Sequence, residues 1–457
     1  MGLFLFLIVS LLLLISVSCI RDNTHSSCTS IFQEDKHQSN GSGIHITLHH
    51  VHGPCSPVTL PKLPLKDVLR LDEMRAQALY NRLTKANVTT SSMPKSVDLR
   101  PEMVNIPLKP GQSVGVGNYV IKIGLGTPAK YFTVMMDTGS SLSWVQCEPC
   151  EISCHPQVDP RFNPSTSSTY EYLTCGTPEC STLEAATLNP PSCTLSNLCI
   201  YNSVYGDRSY SVGYLSRDTL TVAPSQTLPG FVYGCGQEND GLFGQSAGIV
   251  GLARNKLSLL SQLSSKYGYV FSYCLPTPSS TGTLSIGQST YNPSIYKFTR
   301  MYLDRRDPSL YFLRLASITV AGKALPLSVA VYTSTPMIID SGTVITRLSS
   351  AVYVPLRTAF VKAMAGYKQA QPISILDTCF EGGVQGKHVP EVRLIFEGGS
   401  ELRLAAQNSV IEVDGVTCLA FAESRGVAIF GNRQQQTFGV VYDVSGSKIG
   451  FAAGRCG

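Results

Sequence analysis

The stretch Val134-Met135-Met136-Asp137-Thr138-Gly139-Ser140-Ser141-Leu142-Ser143-Trp144-Val145-Gln146-Cys147 decides how this chain is read. Three apolar residues lead into an acid, as in a buried strand, and a glycine two positions later lets the backbone approach whatever faces it. The pattern sets a carboxylate at the end of a rigid element. Alone, Asp-[Ser/Thr]-Gly carries little weight, because ordinary residue usage produces it about 0.2 times in a chain of this length. A second copy, Met337-Ile338-Ile339-Asp340-Ser341-Gly342-Thr343, repeats the order of apolar lead-in, acid, hydroxyl and glycine, and there is no third.

The repetition extends outward from the two acids. Gly248-Ile249-Val250-Gly251 follows the first at long range, and Val427-Ala428-Ile429-Phe430-Gly431 follows the second, which implies two related lobes. From Asn118 the texture is short strands punctuated by Gly and Pro: Tyr119 to Gly124, Tyr131 to Met136, Tyr214 to Val222, Phe231 to Gly234 and Gly248 to Leu252. Helical patterns are few, Lys256 to Lys266 and Ala351 to Ala365 being the best. The fold class expected is mostly β.

Composition limits the function. The 457 residues are 43% hydrophobic and only 15% charged, with a net charge of +5, so a large core is available and no nucleic-acid-binding surface is indicated. Only His155 and His388 follow His52, which leaves a serine or cysteine triad in the body almost without a base. Residues 3 to 18 are an apolar run ending in small residues (Ser16, Ser18). Residues 1–19 are read as a secretory signal rather than a retained anchor, although no Lys or Arg precedes the run. Twelve of the fifteen cysteines lie from Cys147 onward, an even number that reads as disulfides after export. Zinc at Cys147, Cys150 and Cys154 is the weaker reading, since it lacks histidine partners.

Residues 20–111 differ in texture from the body of the chain and are read as a removable prosegment. They hold six of the eight histidines, both N-glycosylation sequons (Asn40 and Asn87), and an amphipathic helix pattern from Leu65 to Ala86 with apolar Leu65, Val68, Leu71, Met74 and Ala78. His45, His49, His50 and His52 fit a solvated or pH-sensitive segment better than a metal site.

The body from about Asn118 to Cys456 resembles pepsin-type aspartic endopeptidases, most closely the atypical plant group that includes the nepenthesins. The resemblance rests on the two Asp motifs, the cysteine-rich insertion 147–199, Tyr205-Gly206-Asp207, Gly248 to Gly251, Gln434-Gln435-Gln436 and Val440-Val441-Tyr442-Asp443. It implies a bilobal fold, with an N-terminal lobe over 112–300, a C-terminal lobe over 301–457, and a cleft between them. It also implies protein or peptide substrates, a monomer, and no cofactor, metal, nucleic acid or membrane anchor once the signal is removed. Delivery would be extracellular or to the cell wall, with vacuole or plastid left open.

The same resemblance assigns roles to residues. Asp137 and Asp340 would be the catalytic pair, acting on a water, with Gly139 and Gly342 leaving room for substrate. Thr138 and Ser341 would bond across the lobes, and Ser140 and Thr343 would bond the outer carboxylate oxygens. Tyr205 and Gly206 would belong to a substrate-covering flap, with Trp144 donating to Tyr205. Arg208 departs from the family's flap glycine, and Phe430 replaces a more usual Ile. The disulfides implied are Cys147 with Cys150, Cys154 with Cys235, Cys175 with Cys199 around Cys180 with Cys193, Cys274 with Cys456, and Cys379 with Cys418. Lys66, Lys85, Lys95 and Lys109 are the candidates for pairing with the dyad in the precursor. The alternative to a protease is a catalytically silent protein of the same fold that binds a glycosidase or another partner.

Overall fold

The computed structural model describes residues 43–58, 64–85, 119–205, 209–223, 226–241, 243–334, 336–386 and 388–454. All of them belong to the unit Gly41–Gly457. The expected signal, Asn40, Asn87, Lys95, Lys109, Gly206, Arg208 and Cys456 lie outside them.

Each Asp motif ends a strand, and the two strands sit in the same local arrangement. Lys130–Asp137 runs parallel to Gly248–Gly251, with Asp137 opposite Gly251. Gly248–Gly251 is antiparallel to Trp144–Gln146, which is parallel to Gln226–Asp240. In the second half Met337–Ile339 runs parallel to Ala428–Phe430, then comes Thr346–Ser349 antiparallel, then Phe421–Ser424 parallel. The four-strand order is therefore the same in both lobes.

The apolar lead-in follows from this burial. Val134 and Met136 face one core cluster while Met135 faces another with Trp144 and Ile249, so the alternating sides of the strand are both covered. The glycine that closes each later repeat has a steric cause. A Cβ on Gly251 would come within 2.5 Å of the Ser141 carbonyl oxygen, and one on Gly431 within 2.7 Å of that of Val344. In both lobes the backbone leaving the Asp loop crosses directly over that glycine.

A shared sheet joins the halves. Val270–Cys274 pairs with Phe438–Asp443, which pairs with Lys448–Ala453. Phe271 stacks on Tyr442 at 4.3 Å, and the Tyr273 hydroxyl lies 2.8 Å from that of Tyr442. The strand Ile44–His50, from the expected prosegment, continues this sheet against Thr281–Ile286 and touches Tyr119–Leu125. Here one expectation fails: His49 and His50 are buried rather than solvated. Burial, with the charges of His52 and Arg433, pushes His50 down to about 3. A histidine wedged between strands loses its hydration and favours the neutral form.

The helices fall close to their patterns, at Leu65–Lys85, Leu259–Tyr267 and Ser350–Ala363. Ser258 caps the second by accepting from the Ser261 N–H, and Gly268 ends it at φ +83°. No helix among the described residues is long and apolar enough to cross a membrane.

Four of the implied disulfides are replaced by other pairings, Cys379–Cys418 is as implied, and Cys456, the implied partner of Cys274, lies outside the described residues. Cys147 joins Cys235, Cys150 joins Cys154, Cys175 joins Cys193 and Cys180 joins Cys199. The reason is strand pairing: Val145 lies opposite Cys235 and the Cys147 N–H donates to Gly236, so Cys147 reaches its neighbour strand rather than its own loop. In the insertion, buried Cys180 and Cys199 share a core cluster, and the outer cysteines are left to each other, so the two bridges interlace instead of nesting. Cys274 and Cys55 are also disulfide-bonded, the latter outside the implied set.

Candidate active site

The strand ends bring Asp137 and Asp340 to opposite sides of one point. The Gly139 N–H donates to Asp137 Oδ1 at 3.0 Å, and the Gly342 N–H to Asp340 Oδ1 at 3.2 Å, a matched pair of bonds that fixes both inner oxygens. Thr138 and Ser341 interlock across the lobes. The Thr138 N–H donates to Ser341 Oγ at 3.2 Å and the Ser341 N–H to Thr138 Oγ1 at 2.9 Å. Thr343 Oγ1 donates to Asp340 Oδ2 at 2.6 Å, as expected. Ser140 does not match it: its buried Oγ has no hydrogen-bond partner among the described residues. The oxygen it was assigned, Asp137 Oδ2, is instead approached by Arg75 Nη1 at 3.4 Å.

Residues well outside the motifs hold the second carboxylate loop. Gln435 Nε2 donates to the carbonyls of Asp340 and Phe430, and Asn432 Nδ2 to that of Ser341. Trp144, 1% exposed, donates from Nε1 to the Tyr205 hydroxyl at 2.7 Å and packs edge-on against Phe243, as does Tyr205. This is the hydrogen bond that the resemblance implies. The strands Cys199–Val204 and Tyr210–Ala223 form the hairpin that carries Tyr205.

The space between the carboxylates is filled by a residue that the motifs do not point to. Arg75 Nη2 donates to Asp137 Oδ1 at 2.6 Å and to Asp340 Oδ1 at 2.8 Å, while Nε donates to Asp340 Oδ2 at 2.8 Å. One guanidinium nitrogen bridges both inner oxygens, so these are no further apart than two hydrogen bonds laid end to end. A Cβ on Gly139 would stand 2.7 Å from Arg75 Nη2, and one on Gly342 2.3 Å from Arg75 Cζ, so both loops leave room for what enters the cleft. The role expected of a lysine thus falls to an arginine, and Lys66 is exposed. A planar five-donor fork suits two facing carboxylates in a way that a lysine ammonium does not.

Arg75 arrives on the helix Leu65–Lys85, which lies in the cleft. Asp72, Arg75, Leu79 and Arg82 are spaced three, four and three residues apart and so share one helix face. Leu69 and Leu71 pack with Val344, Ile345 and Leu376, and Leu79 and Leu83 with Leu310, Phe312 and Ile338. Asp72 accepts from the N–H groups of Val344 and Ile345 and from Arg347. Arg82 pairs with Asp307 at 2.7 Å and donates to the Gly139 carbonyl at 2.5 Å. The four leucines each remove about 1.5–3 kcal/mol of apolar surface from water, whereas buried ion pairs roughly balance their own desolvation. Apolar packing therefore supplies most of the docking energy, and the charges set the register. A legible signal existed: charged residues interleaved within the apolar stripe of the helix.

The electrostatics follow the contacts. Burial pushes the Asp340 carboxyl up, but the charge and hydrogen bonds of Arg75, with Thr343 and Gly342, outweigh it and hold the group below the usual carboxylate range. Burial opposes the Arg75 charge, yet Asp137 and Asp340 together hold it well above its ordinary value. Asp72 is pushed up by burial, against the pull of Arg347 and its two N–H donors. Beside the helix a cavity of about 700 Å³ remains, lined among others by Asp137, Gly139, Leu142, Ser203 and Tyr205.

Comparison with known proteins accords with this geometry. Two family models match, one described as xylanase inhibitor N-terminal over residues 119–288 and one as xylanase inhibitor C-terminal over 310–453. An aspartyl protease family protein of Arabidopsis thaliana is 40% identical over 97% of this chain and 92% of its own length. The aspartic proteinase nepenthesin-2 of Nepenthes gracilis is 37% identical over 75% of this chain and 79% of its own. Among solved structures, basic 7S globulin from soybean superposes with a TM-score of 0.59 at 24% identity, covering 74% of this chain and 91% of that one, a likeness of fold alone. The chain belongs to the pepsin-like aspartic protease family, in its nepenthesin-like plant group. It is thus a hydrolase of the aspartic endopeptidase class.

Proposed function

We propose that this chain is the precursor of a secreted aspartic endopeptidase that hydrolyses peptide bonds at acidic pH, with Asp137 and Asp340 as its catalytic residues. The observation that carries the reading is the single guanidinium of Arg75 bonded to both carboxylates. Two acids that close cannot both ionise in the absence of a cation, so in the freed enzyme they share a proton and their titrations split, as is general for aspartic protease dyads. The ionised member takes a proton from a water held between them. That water attacks the peptide carbonyl, and the protonated member donates to the developing oxyanion. The pair titrates as a unit, so neither acid is singled out as the resting proton donor. Tyr205 and its hairpin would close over the substrate and exclude bulk water.

In this reading residues 20–111 are the prosegment, the lobes span 112–300 and 301–457, and Asn40 and Asn87 carry glycans in the secretory route. Acid frees the cleft by protonating carboxylates that hold Arg75. A silent binding protein would have no need of an arginine lodged between two intact aspartates, and that alternative is not taken up. The test is the purified precursor, acidified and assayed on an unfolded protein substrate with and without pepstatin. Activity should appear, be blocked by pepstatin, and fall at least about a thousandfold in Asp137→Ala and Asp340→Ala. Undiminished cleavage in either variant would remove the dyad from the mechanism.

A further inference from the structure

Arg347 lies on the strand Thr346–Ser349, seven residues beyond Asp340, and its side chain is 1% exposed. The carboxylates paired with it, among the described residues, both come from the cleft helix. Asp72 Oδ2 stands 2.6 Å from Nη2, and Glu73 Oε2 stands 3.4 Å from Nη1. Its buried Nε has no hydrogen-bond partner among the described residues. Asp72, itself without solvent exposure, also accepts from the Val344 N–H at 2.5 Å and the Ile345 N–H at 3.1 Å. One carboxylate is thus gripped by a guanidinium and two successive backbone donors on the chain leaving the Asp340 loop. None of those donors belongs to the helix.

We infer that, once the helix has left, Arg347 and the N–H groups of Val344 and Ile345 form a carboxylate-binding subsite that selects substrates carrying aspartate or glutamate on the Asp340 side of the cleft. The inference rests on the proteolytic reading above and names the substrate class of that same cleft. A neutral carbonyl has one oxygen and no charge to set against the guanidinium, whereas a carboxylate offers two oxygens and the opposite charge and matches the whole donor set. The helix supplies the spacing. Asp72 precedes the dyad-bound Arg75 by three residues, a rise of about 4.5 Å, which an extended substrate covers in about one to two residues. The acid recognised therefore lies close to the bond that is cut.

Protonation sets when this recognition operates. Asp72 and Glu73 face Arg347 from the helix, Arg75 acts on Asp72 from the same helix, and all three depart with it, while Glu423 and Arg425 line a small cavity with Arg347 and remain. Arginine stays cationic throughout, and with the helix gone the subsite opens to solvent, so a substrate acid escapes the burial that pushes Asp72 up and is ionised above about pH 4.3. Selectivity for acid over amide should fade as the pH falls through that range.

The test uses the acid-processed enzyme and peptide pairs that differ only by Glu against Gln, placed in turn at each position flanking the cleaved bond. At one position near the cut, kcat/KM for the Glu peptide should exceed that for its Gln twin about tenfold or more at pH 5.5 or so, and the ratio should shrink to within about twofold near pH 3. Arg347→Gln should bring the ratio to about one at both pH values. Should that variant fail to fold, a synthetic peptide of residues 65–85 serves instead, and its inhibition of wild-type enzyme should weaken about tenfold with Asp72→Asn. Glu and Gln peptides cleaved alike at every position near pH 5.5 would overturn the subsite while leaving the protease intact. An enzyme that cut neither member of any pair would overturn the proteolytic reading instead.

Discussion

The two lobes carry the same four-strand frame and the same acid loop, yet they hold their carboxylates and the cleft helix differently. Asp340 has no exposure and receives bonds from Thr343, Gly342 and both Arg75 Nε and Nη2, with Gln435 and Asn432 bracing its loop. Asp137 is 5% exposed, receives Gly139 and Arg75, and has beside it a Ser140 hydroxyl without a hydrogen-bond partner among the described residues. The helix repeats the asymmetry. Its buried leucines and Asp72 pack on second-half residues, and the first-half Asp loop is met by the guanidinium tips of Arg75 and Arg82. The difference teaches that the cleft helix is mounted on the second lobe and only pinned to the first. A segment held this way is released most readily by failure of the pins.

The largest expected effect is therefore at Arg75. Arg75→Gln leaves both carboxylates facing without a cation, and docking of the helix should weaken by about 3 kcal/mol or more, over a hundredfold in the equilibrium. Hydrogen exchange of residues 65–85 in the precursor, together with cleavage activity near neutral pH, reads this out. An unchanged exchange rate would mean that packing alone retains the segment.

The pH dependence of release sharpens the same point. Asp340 is held below its ordinary range while the helix is docked, so its contribution to docking is lost as the pH falls through the lowered value. Asp72 is shifted the other way, so its protonation favours the docked state as the pH falls and opposes release. Helix release followed by fluorescence from pH 7 downward should show an acid-triggered step in the wild type. In Asp72→Asn release should begin at higher pH, and in Arg75→Gln the pH dependence should flatten.

A smaller effect distinguishes the two acid loops. Thr343→Val removes a charge-assisted bond to Asp340 and should cost about 1.5–3 kcal/mol in transition-state stabilisation, measured as kcat/KM. Ser140→Ala removes a hydroxyl without such a bond and should change kcat/KM by less than about twofold. Equal losses in the two variants would show that the loops become equivalent once the helix has left. Between these two in size, Trp144→Phe deletes the donor to Tyr205 while keeping an aromatic ring beside Phe243. It should lower kcat/KM by about three- to tenfold and, because the indole is buried, should also cost about 1–3 kcal/mol of stability.

Much of this molecule is local in origin. The apolar lead-ins, the acids, the glycines that follow them and the later apolar-apolar-glycine repeats are set by alternation and by backbone crowding within a few residues, and they fixed the mostly β, two-lobed architecture and the identity of the facing acids in advance. The helix from Leu65 was equally legible, because its apolar spacing is a property of the segment alone. What it touches was not. Arg75 reaches acids 62 and 265 residues away, Cys147 finds Cys235 through strand pairing, and Ser140 and Thr343 differ although their motifs align. Partners at such range are chosen by how whole elements pack, and only the tertiary structure carries that information.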